Sequence, residues 1–131
     1  MKTKMEYQTL SPNIGVESVD ESVKFYTDIL GFNLAMRNPE TGEMNWAMVV
    51  NGDVSIMFQE INCLKEEYPQ LEKRSLNAAL TLYIHMKDMG ELYQRIKGTK
   101  YLAVDLHQTF YGANEFALFD NNGYILTISE K

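Results

Sequence analysis

The chain has 131 residues, 45% of them hydrophobic, and 12 Lys and Arg against 18 Asp and Glu give a net charge of −6. This length predicts one domain, residues 1–131, with its own core, and the acidic balance excludes sequence-independent binding to nucleic acid. The sequence has no apolar run long enough to span a membrane, and its first residues lack the apolar region of a secretory signal peptide. It has a single cysteine, Cys63. These features favour a cytoplasmic protein.

The first predicted elements are a β-strand and a capped α-helix. Ile14 and Val16 lie two residues apart, as in a half-buried strand. Ser18 and Glu21 match a capping box at the start of the helix, and Gly31 suits the position after its end. The helix has one apolar face, which comprises Val19, Val23, Tyr26, Ile29 and Leu30.

The same pattern returns about seventy residues later, in LTLYIHMKDMGELYQRIKG. Leu82, Ile84 and Met86 alternate with polar or aromatic residues and predict a strand. Asp88 is the predicted cap of the second helix, and Gly98 ends it. Its predicted apolar face comprises Met89, Leu92, Tyr93 and Ile96.

A hairpin signal also repeats after each helix. Asn51-Gly52 and Asn122-Gly123 each lie between two apolar runs and favour tight turns. Each half therefore predicts the order β-α-β-β-β. The chain divides into a first module (8–61), a polar connector with one helical turn (62–76) and a second module (77–131).

Strand alternation assigns side chains to the two faces of each predicted sheet. The fold class is α+β, with two βαβββ modules that form a curved, cup-shaped mixed sheet with the helices outside. The apolar set should face the helices: Ile14, Val16, Val54, Ile56, Phe58, Leu82, Ile84, Leu126 and Ile128. The opposite set should line the cup: Ser11, Asn13, Ser55, Met57, Gln59, Thr81, Tyr83, His85, Ile125, Thr127 and Ser129.

Two segments resemble a known family. VESVDESVKFYTDILGF and YGANEFALFDNNGYILTISE are similar to the signature segments of the vicinal-oxygen-chelate superfamily, which comprises glyoxalase I, bleomycin-resistance proteins and extradiol dioxygenases. The resemblance covers almost the whole chain. It implies the cup-shaped fold and a homodimer with clefts near its interface, whereas the function has to come from the site itself.

In the metal enzymes of that superfamily, four strand side chains hold a divalent ion. The matching positions here are Ser11, Met57, Thr81 and Thr127. Hydroxyls and a thioether are poor ligands for hard or zinc-like ions. We therefore expect neither a metal ion nor another cofactor, which places glyoxalase, dioxygenase and metal-dependent transferase chemistry in doubt.

Aromatic and polar residues on the cup strands are the candidate ligand contacts. Rings stack on planar ligands and attract cations, and methionines repack around varied ligands. His85 is either a proton carrier or a polar residue at the end of a strand. His107 and Asp105 are either a catalytic base with the carboxylate that orients it or two neighbouring surface residues. The predicted lining is Trp46, Met57, Gln59, Tyr83, His85, Phe110, Tyr111 and Thr127.

The resulting hypothesis is a metal-independent protein that binds an aromatic or cationic small molecule in the cup. Two alternatives stay open at this point. One is a metal-dependent glyoxalase-type lyase, isomerase or dioxygenase with a non-standard site. The other is a regulatory or structural dimer with a filled cup. The sequence leaves open whether the chain is an enzyme, and whether the modules pair within one chain or between two.

Overall fold

The computed structural model describes residues 5–75 and 79–130. The predicted border between connector and second module, at residues 76 and 77, lies outside them. No helix in these two ranges is long and apolar enough to cross a membrane. The elements are β1 (Asn13–Val16), α1 (Val19–Asp28), β2 (Asn33–Asn38), β3 (Trp46–Asn51), β4 (Val54–Glu60), α2 (Ile61–Glu67), a 3₁₀ helix (Pro69–Leu71), β5 (Thr81–His85), α3 (Gly90–Ile96), β6 (Leu102–Gln108), β7 (Asn114–Phe119) and β8 (Ile125–Glu130).

The strands form two four-stranded mixed sheets, in the orders β1-β4-β3-β2 and β5-β8-β7-β6. In each sheet the first strand is parallel to the fourth, and the other pairs are antiparallel. This repeated order confirms the predicted α+β fold of two βαβββ modules. The connector contains more helix than expected, because α2 follows β4 directly and the 3₁₀ helix comes after it.

The two helix caps differ, although the sequence predicts the same motif for both. The Ser18 hydroxyl accepts a hydrogen bond of 3.1 Å from the Glu21 N–H, as predicted. The prediction for Asp88 is wrong, since α3 has Met89 at its N-cap and no side-chain cap of its own. Instead, the Glu130 carboxylate on β8 accepts from the Met89 N–H at 2.9 Å. A residue distant in sequence thus replaces the local cap.

One hydrophobic core connects the two modules. The side chains predicted to face the helices lie in this core or pack against it. Tyr26 on α1 is fully buried, and its ring lies 5.6 Å from the Phe32 ring and 4.8 Å from the Phe58 ring, both edge to face. Aromatic packing therefore holds α1 on the first sheet.

Hydrogen bonds at α1 and β1 join the first module to the second. The Tyr26 hydroxyl donates to the Asp120 carboxylate at 2.8 Å, and the Tyr124 hydroxyl donates to the Gly15 carbonyl at 2.9 Å. Because these groups lie on the helix-bearing side, the modules pack through that side. Further hydrogen bonds on this side join Asn122 to Ser22 and Arg95 to Ile29.

The sheet faces opposite the helices, called the open faces below, are partly exposed. Tyr83 on the second sheet is 59% exposed, and Met36 on the first sheet is 56% exposed. These faces carry the side chains that the sequence assigns to the cup. Within one chain, each open face therefore faces solvent.

Candidate ligand-binding site

Strand pairing aligns a polar row across the open face of the second sheet. His85 pairs with Ser129, Ser129 with Glu115, and Glu115 with His107. Side chains of directly opposed residues lie on the same face of a sheet. The Glu115 side chain is the central acid of this row, and Glu115 is only 6% exposed.

Two tyrosines hold the Glu115 carboxylate. The Tyr83 hydroxyl donates to Oε2 at 2.9 Å, and the Tyr111 hydroxyl donates a short hydrogen bond to the same oxygen. The hydrogen bond from Tyr111 is the main reason that the pKa of Glu115 is lowered, and nearby His107 lowers it further. The same bond raises the pKa of Tyr111 to about 12. Glu115 is therefore a carboxylate at neutral pH, and the Tyr111 phenol beside it is neutral.

The loop between β6 and β7 places an aromatic pair beside this carboxylate. The Thr109 hydroxyl accepts from the Ala113 N–H at 3.0 Å, and Gly112 has φ +83°, which closes a tight turn. Phe110 at the loop tip is 99% exposed, and its ring meets the Tyr111 ring edge to face at 5.0 Å. Exposed rings around a buried anion are suited to binding a cation.

The open face of the first sheet is rich in amides and is bordered by the Glu67 carboxylate. The Asn13 amide donates to Gln59 Oε1 at 2.8 Å, and Gln59 Nε2 donates to the Glu67 carboxylate at 2.9 Å. These groups border a cavity of about 410 Å³, together with the Trp46 ring. Next to it, the strand register aligns three methionines, Met57, Met48 and Met36.

The predicted lining residues fall into two sets in the chain. Trp46, Met57 and Gln59 lie on the first sheet, and the others lie on the second sheet or its loop. No hydrogen bond or ring contact in the described part of the chain joins the two sets. Within the second set, the structure brings Tyr83 and Tyr111 together on Glu115. The remaining members of that set are His85, Phe110 and Thr127.

Sequence reasoning missed Glu115. A signal was present, because in NEFALF the glutamate alternates with Phe116 and Leu118, whose side chains enter the core. Glu115 therefore had to point to the open face. The pair of His107 with the Asp105 carboxylate does not form: His107 Nδ1 lies 3.0 Å from the Asp105 backbone oxygen. The Asp105 carboxylate instead accepts from the Tyr93 hydroxyl at 2.6 Å.

The residues at the superfamily's metal positions do not fit a metal ion. The Ser11 hydroxyl is already hydrogen-bonded to the Ser55 hydroxyl at 2.5 Å. Met57, Thr81 and Thr127 offer a thioether and two neutral hydroxyls, which are weak ligands for divalent ions. Within residues 5–75 and 79–130, no group of three His, Cys, Asp or Glu side chains could hold a metal ion.

Comparisons with known proteins agree with this architecture. The family model for the Glyoxalase/Bleomycin resistance protein/Dioxygenase superfamily matches residues 9–128. No curated protein matches the sequence. Similar solved structures include a superfamily member from Sphaerobacter thermophilus, with 17% identity, coverage of 98% of this chain and 100% of that chain, and a TM-score of 0.76.

Two further solved structures are similar in fold. TioX from Micromonospora sp. ML1 has 14% identity, coverage of 95% and 96% of the two chains, and a TM-score of 0.72. A bleomycin-binding protein in complex with bleomycin has 19% identity, coverage of 95% and 99%, and a TM-score of 0.64. At these identities the likeness extends to the fold alone.

Proposed function

The chain belongs to the Glyoxalase/Bleomycin resistance protein/Dioxygenase superfamily, and we propose that it binds a cationic, partly aromatic small molecule without a metal ion. The observation that carries this proposal is the Glu115 carboxylate, buried on the open face and held by Tyr83 and Tyr111. A buried charge is costly unless it is paired or hydrogen-bonded. Here the hydrogen bonds keep the negative charge in place, and no cation among the described residues forms a salt bridge with it.

The surroundings of Glu115 support a cationic ligand. The exposed rings of Tyr83 and Tyr111 lie next to the carboxylate, and the exposed Phe110 ring contacts Tyr111. A cation near aromatic faces gains about 0.5–2 kcal/mol per ring contact, more where water is excluded. The net charge of −6 also favours the approach of a cation. The bleomycin-binding relative shows that this fold is compatible with binding a small molecule.

A second copy of the chain would complete the site. The open faces and the β6–β7 loop leave Met36, Tyr83, Val104 and Phe110 between 50% and 99% exposed. Apolar surface of this kind is typical of an interface. A symmetric dimer that brings the first sheet of one copy opposite the second sheet of the other would enclose the ligand between the amide-rich face and Glu115.

The cytoplasmic location expected from the single cysteine stays a prediction.

The binding experiment compares two probes of the same shape, phenyltrimethylammonium and neutral tert-butylbenzene, by NMR titration of the purified protein. We expect saturable binding of the cation and at least tenfold weaker binding of the neutral probe. Glu115→Gln should weaken binding of the cation about tenfold, which corresponds to about 1.4 kcal/mol. Glu91→Gln, which removes an exposed charge on α3, is the matched control and should leave the affinity unchanged. Equal affinity for both probes, or an unchanged affinity in Glu115→Gln, would contradict the proposal.

The oligomeric state is tested separately by light scattering coupled to gel filtration. We expect a mass twice that of the 15.1 kDa chain. Met36→Lys places a charge on the open face and should shift the equilibrium towards the monomer. Tyr68→Lys, at a similarly exposed position in the connector, should not. A monomer at all concentrations would show that the dimer is wrong and leave the binding test intact.

A further inference from the structure

A second cavity lies between the two modules, on the helix-bearing side of the sheets. Its volume is about 530 Å³, which is within the range of about 300–1,000 Å³ of small-molecule sites. Protein interiors are close-packed and contain few voids larger than a water molecule. The apolar part of its wall comprises Leu30, Phe32, Val54, Ile84, Leu92 and Leu126.

Comparison of the two repeats shows that a tyrosine side chain is missing from this cavity. At the junction of the second hairpin with β1, Tyr124 follows Gly123, is 6% exposed and donates its hydroxyl to the Gly15 carbonyl. At the matching junction of the first hairpin with β5, Asp53 follows Gly52 and is exposed. At the first junction the buried tyrosine side chain extends to β1. At the second junction the short Asp53 side chain leaves the space open.

The mouth of the cavity carries a cation that forms no ion pair with the described residues. Lys87, two residues after the end of β5, lies at the edge together with Asp53. Lys87 forms no salt bridge with any residue in the described parts of the chain, where Arg95 and Glu91 form the one ion pair. An exposed ammonium beside an apolar cavity is suited to a ligand with an apolar body and an anionic end.

We propose that this cavity binds a small apolar ring compound with one carboxylate or sulfonate group. Its ring takes the place that the Tyr124 side chain has at the other junction, and its anion lies near Lys87. Binding buries the apolar walls of the cavity, which is the main favourable contribution. Asp53 opposes the anion, so its negative charge limits the affinity. This site is separate from the open faces and does not depend on the function proposed for them.

The test uses 8-anilinonaphthalene-1-sulfonate, an apolar ring compound with one sulfonate, in fluorescence titrations of the folded protein. We expect saturable binding of one probe per chain. Lys87→Glu should weaken binding at least fivefold, while Lys73→Glu, the same charge change on the connector, should leave it unchanged. Equal weakening by the two lysine variants would overturn the proposal, because only overall charge would then matter.

Two variants at Asp53 distinguish the effect of filling the cavity on binding from the effect of removing a charge. Asp53→Asn should strengthen binding, since it removes a negative charge near the sulfonate. Asp53→Tyr removes the same charge but supplies a ring, and it should abolish binding. Asp53 is exposed, so both variants should fold, which circular dichroism verifies. Binding by Asp53→Tyr at wild-type affinity would overturn the proposal. So would tighter binding in Glu115→Gln, because it would place the sulfonate on the open face.

Discussion

The Tyr26 hydroxyl donates a 2.8 Å hydrogen bond to the Asp120 carboxylate, across 94 positions in the sequence. Both residues are buried, with exposures of 0% and 3%. The other Asp120 oxygen accepts from the backbone N–H groups of Asn122 and Tyr124. Asp120 thus organises the β7–β8 turn and at the same time holds α1 of the first module against the second module.

Loss of this hydrogen bond should destabilise the fold. In Tyr26→Phe the aromatic packing persists, but one oxygen of Asp120 loses its donor in the core. An unsatisfied buried acceptor costs about 1–3 kcal/mol, and we expect a loss of this size in urea unfolding. The matched control is Tyr101→Phe, where the described structure gives the hydroxyl no hydrogen bond and the change should stay within about 0.5 kcal/mol. Equal stability of the two variants would contradict the role of the Tyr26–Asp120 bond.

The stability of the protein should depend on the titration of Asp120. Burial raises the pKa of its carboxyl above the ordinary 3.8, although the hydrogen bond from Tyr26 and the backbone N–H bonds lower it. A group with a raised pKa in the folded state contributes its stability below the unfolded-state pKa and loses it as the pH rises through the folded-state pKa. Asp120→Asn abolishes this titration. Relative to wild type, the variant should therefore gain in unfolding free energy as the pH rises from about 3 to about 6. Urea unfolding at each pH measures this difference, and a constant difference would contradict the raised pKa.

Tyr111 should ionise later than an exposed tyrosine. Its pKa is raised to about 12, chiefly by the hydrogen bond to the Glu115 carboxylate. NMR titration of tyrosine labelled with ¹³C at the ζ position should show Tyr111 still protonated above the ordinary tyrosine pKa of about 10. In Glu115→Gln the negative charge is gone, and the pKa of Tyr111 should fall towards 10. Titration of Tyr111 at the ordinary tyrosine pKa of about 10 in wild type would show that the bond to Glu115 is not formed in solution.

The two helix starts should respond differently to the loss of a predicted cap. Ser18→Ala removes a hydrogen bond to the Glu21 N–H and should cost about 1 kcal/mol. Asp88→Ala removes no cap, so the change in unfolding free energy should stay within about 0.5 kcal/mol. Glu130→Ala should destabilise the protein more than Asp88→Ala, because it removes the acceptor of the Met89 N–H. A larger loss in Asp88→Ala than in Glu130→Ala would contradict this assignment.

The purified protein should retain no stoichiometric divalent metal. The prediction rests on Ser11, Met57, Thr81 and Thr127, and it is tested by elemental analysis after dialysis against Ni²⁺, Zn²⁺, Mn²⁺ and Fe²⁺. A triple variant, Ser11→His with Thr81→His and Thr127→Glu, supplies imidazole and carboxylate ligands and is the positive control. One tightly held ion per wild-type chain would reject metal independence and favour a glyoxalase-type enzyme with another ligand set.

Local patterns were sufficient to predict the two βαβββ repeats, although not the helices that follow β4. The alternation around Ile14 and Val16, the cap at Ser18 and the turn at Asn51-Gly52 depend on neighbours in sequence, and all three appear in the structure. The same reasoning failed at Asp88, since the acceptor for the Met89 N–H comes from the far end of the chain. Tertiary contact overrode a local preference there.

The candidate site was predicted only in part, for the same reason. Tyr83 and Tyr111 could be assigned to the cup from alternation and composition, but their shared bond to Glu115 requires the register of three strands and a loop. Register follows from backbone pairing between distant segments, which one sequence does not show. The sequence by itself determined the two βαβββ repeats, their buried faces and the family, because periodicity and turn chemistry act over a few residues. Only the tertiary structure decided that the modules meet through their helix-bearing sides, because buried pairs such as Tyr26 and Asp120 form only once both modules are folded together.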